Sequence, residues 1–177
     1  GKAYMAKDFG REGHGRRLAT FNQAMAKAMR LPREQVRMLK LLVKYHDIGK
    51  LRISDSILMK PATLTPEEDM MMKGHCEYGK RIVLAIPELE KVSDLVLKHH
   101  EWWNGRGYPL GISGEDIPLL CRIFAITDAF EAMTGKRPYR NPVSHEEAAE
   151  ELRRMAGIQF DPESVEVFIQ LIEKELV

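Results

Sequence analysis

A histidine followed directly by an aspartate, His46-Asp47, sets an imidazole nitrogen beside a carboxylate with two oxygens. At the end of a helix adjacent side chains diverge by about 100°, so the pair can grip a metal from two sides. The carboxylate can also give one oxygen to each of two ions. The dipeptide alone is common by chance; its company gives it weight. His14, His75, the doublet His99-His100 and Asp128 all fall at or near helical stretches, and five of the six histidines belong to this set. Imidazoles and carboxylates without thiolate suit iron, manganese, nickel or zinc. Two such ions a few ångströms apart acidify a bridging water and clamp a phosphate for in-line attack. Asp47 is the expected bridging carboxylate. His14, His46 and Asp128 would complete one metal shell, and His75, His99 and His100 the other. Asp128 stands in an apolar run (Ile123, Phe124, Ile126, Ala129, Phe130), where an unpaired carboxylate is costly to bury. That favours a ligand over a capping partner. His145, beside a helix start and among glutamates, is expected to be solvated.

The elements that must carry these residues are helices. Leu18, Phe21, Met25 and Met29 recur at spacings of three and four, predicting an amphipathic helix over 11–30, with His14 one turn before Leu18 on the same side. Leu31-Pro32-Arg33-Glu34 restarts a helix with proline in its first turn. The stripe Val36, Leu39, Leu42 and Val43 then delivers His46-Asp47 to the core, and Gly49 is expected to break the helix and leave Lys50 at its mouth. Residues 51–63 read as a connector. Thr65-Pro66-Glu67-Glu68 starts a third helix that carries His75 to about residue 86. Pro87-Glu88-Leu89 opens a fourth that ends on His99-His100. The stretch 102–114 holds four glycines and a proline and reads as a loop. Pro118 opens a fifth helix, with Asp128; Ser144 caps a sixth and Asp161-Pro162-Glu163 a seventh. No stretch reads as a strand, so the expected fold is an all-α single-domain bundle of about seven helices.

Composition bounds the function. A chain of 177 residues, 44% apolar and 30% charged, is that of a folded domain with a sizeable core. A net charge of +1 argues against duplex DNA or an anionic membrane as a bulk electrostatic partner, so phosphate binding would rest on a few placed cations. Cys76 and Cys121 give no disulfide framework and read as small buried hydrophobes in a reducing compartment. No apolar run approaches the roughly 20 residues that span a bilayer, and none reads as a signal peptide; a cytoplasmic domain is expected. The chain opens on Gly1. Residues 1–9 read as a linker or a lead left by excision from a longer protein, and 10–177 as the domain.

One more feature completes the pattern. Gly105-Arg106-Gly107-Tyr108-Pro109 follows the doublet by five residues; glycines let backbone amides approach a ligand, and Tyr-Pro stiffens the turn. In order along the chain come His46-Asp47-Ile48-Gly49-Lys50, His75-x-Glu77 and His99-His100-Glu101-x-x-Asn104-Gly105-x-Gly107-Tyr108-Pro109. Asp128-Ala129-Phe130-Glu131-Ala132-Met133-Thr134 and Arg137-Pro138-Tyr139-Arg140 follow. This series resembles the HD-GYP domain, the branch of the HD phosphohydrolase superfamily that hydrolyses the bacterial messenger cyclic di-GMP, over about residues 10–172.

The resemblance implies an HD-type helical bundle with a Gly-Tyr-Pro loop and a binuclear centre of two divalent transition metals, iron or manganese first, nickel or zinc next. It implies opening of cyclic di-GMP to linear pGpG by a metal-bridging hydroxide, with Asp47 and Lys50 catalytic; further cleavage to GMP stays open, and the two-metal count tilts toward a slow or incomplete second step. By the same resemblance Lys50 contacts the scissile phosphate, Arg137 and Arg140 hold phosphate oxygens, and Tyr108 with its loop meets substrate or a partner protein. Glu101, Asn104, Gly105, Gly107 and Pro109 would shape and anchor that loop, with Trp102-Trp103 packing beneath it or stacking a guanine. A diguanylate cyclase (GGDEF) domain and a fused upstream sensor or receiver are the implied partners. Two departures matter. Three-metal members carry a glutamate one turn before the first histidine; here that position is Gly10, and Glu12, two residues from His14, faces away. Two metals are therefore expected. Asn104 stands where the family usually has aspartate, so loop anchoring is expected to weaken. The competing readings are a weak or inactive cyclic-dinucleotide sensor that binds diguanylate cyclase domains, and hydrolysis of another nucleotide such as cyclic GMP-AMP.

Overall fold

Helix after helix presents the apolar stripe that its sequence predicts, and a computed structural model describes this for residues 14–135 and 141–175, with backbone alone at 14 and 175. In chain order the helices are α1 (His14–Ala28), α2 (Arg33–Tyr45), α3 (Asp55–Leu58), α4 (Pro66–Lys73) and α5 (His75–Leu84). Then come α6 (Ser93–Lys98), α7 (Leu119–Thr134), α8 (His145–Met155) and α9 (Pro162–Glu175). Among the described residues no strand forms beyond an isolated bridge between Ala156 and Phe160. The all-α expectation holds.

Leu18 and Met25 on α1, Leu39 and Leu42 on α2, and Ile123, Phe124 and Ile126 on α7 are buried together. Phe21, Phe130 and Phe168 meet edge to face, with ring centroids 5.1 to 5.8 Å apart, tying α1 to α7 and α9. α1 ends where Arg30 takes a left-handed φ of 52°, while the Leu31 amide donates to the Ala26 carbonyl. Both capping boxes form: Thr65 with Glu68 on α4 and Ser144 with Glu147 on α8. Asp161 opens α9 by accepting from the Glu163 amide, the Ser164 hydroxyl and, across the domain, Arg122.

Three boundaries differ from the periodicity reading. The third helix breaks in two at Gly74, a weak helix former that sits between α4 and α5, so that His75 becomes the first residue of α5. The fourth helix opens as a 3-10 turn (Pro87–Val92) before α6. The connector 51–63 contains the single-turn α3. Among the described residues no helix is long and apolar enough to cross a membrane. Cys76 and Cys121 are both buried and unbridged, as expected.

A candidate metal centre at the His-Asp turn

The apolar stripe of α2 ends at Tyr45, and His46 closes the helix with its amide on the Leu42 carbonyl, 2.8 Å away. Asp47 leads into a 3-10 turn, Ile48–Arg52. The expectation that Gly49 breaks α2 is therefore corrected, because the helix has already ended. Gly49 serves a close approach instead. A Cβ there would overlap the His75 carbonyl oxygen and come within 2.5 Å of the Gly79 amide. Gly79 is in turn so close to Val96 that a Cβ would lie 2.8 Å from its Cγ1. Two bare glycines thus let the His-Asp turn lie on the backbone of α5, and α5 on α6. This brings residues 46–47, 75 and 99–100 together.

The imidazoles are oriented from behind. His46 Nδ1 sits 3.0 Å from the Val43 carbonyl, His75 Nδ1 2.8 Å from that of Met72, and His99 Nδ1 2.7 Å from that of Val96. A carbonyl only accepts, so each Nδ1 carries a proton, and a ring that stays neutral turns its Nε2 lone pair inward. The His75 and His99 Nε2 atoms face each other at 3.4 Å. His100 packs against His99 with ring centroids 4.1 Å apart. Asp47 lies between the two sides: its Oδ2 is 3.4 Å from His46 Nε2 and its Oδ1 is 3.7 Å from His75 Nε2. Lys50 is not held apart at a helix mouth; its ammonium donates to Asp47 Oδ2 at 2.6 Å. Asp128, half-buried on α7, is close enough to raise the proton affinity of His46. The His14 side chain lies outside the described residues, as do Arg137 and Arg140. His145 is exposed on the first turn of α8, as expected.

One donor escaped the sequence reading. The Sγ of Cys76 is 3.6 Å from His75 Nε2, and the donor atoms of His75, Cys76, His99 and His100 all lie within 4.8 Å of one another. These residues form a His/Cys cluster able to hold a metal ion. The only signal for the sulfur was its adjacency to a candidate ligand, and helical neighbours normally diverge.

Burial keeps most of these rings neutral. It lowers His75 and His99, takes His100 to about 3, and is reinforced at His99 by the neighbouring rings. Burial also opposes protonation of His46, but the Asp47 carboxylate overcomes it and raises that group. Asp47 itself stays well below the usual carboxylate range: burial works against its charge, and His46 and then Lys50 outweigh it. Burial pushes the Cys76 thiol up to about 12.

A pH dependence follows for the metal-free protein. Once unfolded, His75, His99 and His100 take protons near pH 6.5; folded, they resist them. The unfolded chain therefore binds more protons as pH falls below that value. Stability drops by up to about 1.4 kcal/mol per pH unit for each such ring. His46 acts in the opposite sense, its contribution being full below 6.5 and lost as pH rises through its raised value. Thermal unfolding in the presence of a chelator should move to lower temperature from about pH 7 to pH 5. A flat profile over that interval would contradict neutral buried imidazoles.

The loop after the doublet is built around Glu101, which is 3% exposed. Its Oε1 accepts from the Leu110 amide at 2.6 Å and its Oε2 from the Gly111 amide at 3.0 Å. Gly107 carries no Cβ because one would collide with the backbone of Glu101 and Trp102, so this glycine folds the loop onto itself rather than onto a ligand. Gly105 turns the chain with φ 80°, and the Tyr108-Pro109 bond is cis. Asn104, where weaker anchoring is expected, makes two hydrogen bonds in the loop. Its Oδ1 accepts from the Arg106 amide at 3.0 Å, and its backbone N–H donates to the Ile158 carbonyl at 3.0 Å. Trp103 packs beside the Arg122 guanidinium, 5.7 Å from its ring centroid. Tyr108 stacks on His100, with centroids 4.9 Å apart and planes at 27°. Replacing Glu101 by glutamine sets an NH₂ against one of the two amides. It should cost about 1–3 kcal/mol, read by thermal unfolding, and expose the loop to limited proteolysis. An unchanged melting point would show that Glu101 does not anchor the loop.

The HD domain family matches residues 5–164. A cyclic di-GMP phosphodiesterase of Thermotoga maritima is 39% identical over 172 residues, 96% of this chain and 46% of that protein. The 3'3'-cGAMP-specific phosphodiesterase 2 of Vibrio cholerae is 36% identical over 159 residues, 89% of this chain and 30% of that protein. The chain thus spans less than half the length of these relatives. A solved cyclic GMP-AMP specific phosphodiesterase of V. cholerae superposes with a TM-score of 0.72 at 22% identity, over 95% of this chain and 46% of that one, a likeness of fold.

Proposed function

We infer that this chain, which belongs to the HD domain family, is a metal-dependent phosphodiesterase domain that opens a cyclic dinucleotide, cyclic di-GMP first among them, to the linear form. The observation that carries the reading is Asp47, whose two oxygens face His46 on one side and His75 on the other. A carboxylate so placed would give one oxygen to each of two ions. His46 and Asp128 would hold one of them, and His75, His99 and His100 the other. The places of His14 in the first set and of Arg137 and Arg140 on phosphate oxygens rest on the sequence resemblance.

Two divalent ions, iron or manganese, supply when bound an acidified water and positive charge against the phosphate. The chain does the rest. Burial denies protons to His75, His99 and His100, so their lone pairs stay available at neutral pH. The backbone carbonyls behind His46, His75 and His99 fix which nitrogen faces the centre. Lys50, already at the rim with its ammonium on Asp47, turns to the scissile phosphate and holds its charge as it builds. Tyr108 covers the face of His100 and borders the approach to the site. Cyclic di-GMP and 3'3'-cGAMP both appear among the relatives' named substrates, so the base preference belongs to the test. We place the domain in the cytoplasm, joined to a sensor or receiver and meeting a diguanylate cyclase domain.

Protein loaded anaerobically with iron or manganese is offered cyclic di-GMP, 3'3'-cGAMP and linear pGpG, and products are resolved over time. The expected result is accumulation of pGpG with two metal ions per chain. Nucleotide binding without product under every metal would replace the enzyme reading by a sensor, and three ions per chain would overturn the two-metal centre.

A further inference from the structure

We propose that Cys76 is a further donor beside His75, His99 and His100, adding a sulfur to three nitrogens and the shared Asp47 oxygen in this half of the centre and making it selective for a thiophilic divalent cation, zinc foremost. The proposal rests on the metal-centre reading above but on no assumption about substrate. The four donor atoms lie within 4.8 Å of one another. Two of their separations match the edges of a coordination tetrahedron. With metal–nitrogen bonds of about 2.05 Å and a metal–sulfur bond of about 2.3 Å, the edges are about 3.4 Å between nitrogens and about 3.6 Å from nitrogen to sulfur. His75 Nε2 lies 3.4 Å from His99 Nε2 and 3.6 Å from Cys76 Sγ.

Hydrogen-bond counting points the same way. His75 and His99 are each 2% exposed, and both spend their Nδ1 protons on backbone carbonyls. Their two Nε2 lone pairs therefore face each other, and the one hydrogen of the Cys76 thiol can serve only one of them. A cation coordinated by all three atoms removes the conflict. On binding, the S–H bond breaks, its electron pair forms the sulfur–metal bond, and the proton leaves to solvent. No oxidant is needed. The two halves of the centre then share the Asp47 carboxylate but differ in softness: nitrogen and further carboxylate oxygen from His46 and Asp128 on one side, nitrogen and sulfur around His75 on the other. Zinc should displace iron or manganese first from the sulfur side.

The test is an anaerobic titration of the metal-free protein with cobalt(II). The expected result is a near-ultraviolet thiolate-to-cobalt charge-transfer band that zinc abolishes by competition. In Cys76→Ser the band should vanish, with zinc affinity at least about tenfold weaker. Cobalt binding to the unaltered protein without that band overturns the proposal. So does a band that survives in Cys76→Ser, which would assign it to Cys121. X-ray absorption of the zinc-loaded unaltered protein decides the matter even if the variant does not fold. A sulfur scatterer at about 2.3 Å supports the proposal, and a shell of nitrogen and oxygen alone overturns it. None of these signals requires turnover. An inactive protein with a zinc–sulfur shell would sink the phosphodiesterase reading and leave this one standing.

Discussion

Asp47→Asn should abolish the proposed hydrolysis of the cyclic dinucleotide, lowering turnover by at least about a thousandfold, the upper range for losing one charge-stabilising group at a reacting centre. The side chain keeps its size but exchanges one oxygen for an NH₂ that cannot coordinate a metal. Either His46 or His75 then faces a donor in place of an acceptor, since the two oxygens of Asp47 lie 3.4 and 3.7 Å from their Nε2 atoms. The proposed bridge would be lost, and the loaded protein should hold fewer than two ions. The metal-free fold should change little, by under about 2 kcal/mol, because the Lys50 ammonium released from the pair is partly exposed to water. Turnover, metal content and melting temperature measured on one preparation separate these effects. Activity within tenfold of the unaltered protein would remove Asp47 from the centre.

Gly49→Ala should be as damaging without touching a donor atom. The added Cβ would overlap the carbonyl oxygen of His75 and approach the Gly79 amide to 2.5 Å. Both obstacles are helix backbone, which cannot swing aside as a side-chain tip does. Overpacking of this kind costs typically 1–3 kcal/mol and sometimes more; here a loss of at least about 3 kcal/mol is expected. If the chain still folds, the His-Asp turn is lifted off α5 and metal affinity falls with it. Gly15→Ala on α1 is the control, since nothing lies within 4 Å of its added methyl group. In a helix that change should stabilise by up to about 1 kcal/mol. Denaturant unfolding of the two variants, with metal content, gives the comparison. Equal stability would show that the turn does not rest on α5 as closely as the geometry requires.

The sequence by itself determined the helices, the residue types of the centre and the order of its blocks. These properties are local. A 3.6-residue period, the Thr65 and Ser144 caps and the Pro-started helices at Pro66 and Pro162 can each be read within a dozen neighbours. His46-Asp47, His75 and His99-His100 announced themselves by type and company. Gly49 and Gly107 were visible only as flexible residues. Whether a glycine supplies a turn or a place for two backbones to touch depends on what packs against it, here α5 and the Glu101–Trp102 backbone. Gly74 divides a helix that the periodicity ran through, and so makes His75 the first residue of α5. Glu101 and Asn104 gained their partners from residues brought near by a folded loop. Only the tertiary structure placed the Cys76 sulfur among the imidazole nitrogens and divided the oxygens of Asp47 between two histidines. The physical reason is one of range. Composition and period fix each helix and its buried face, whereas a centre needs donor atoms from separate segments to converge within a few ångströms, and that distance is set by packing.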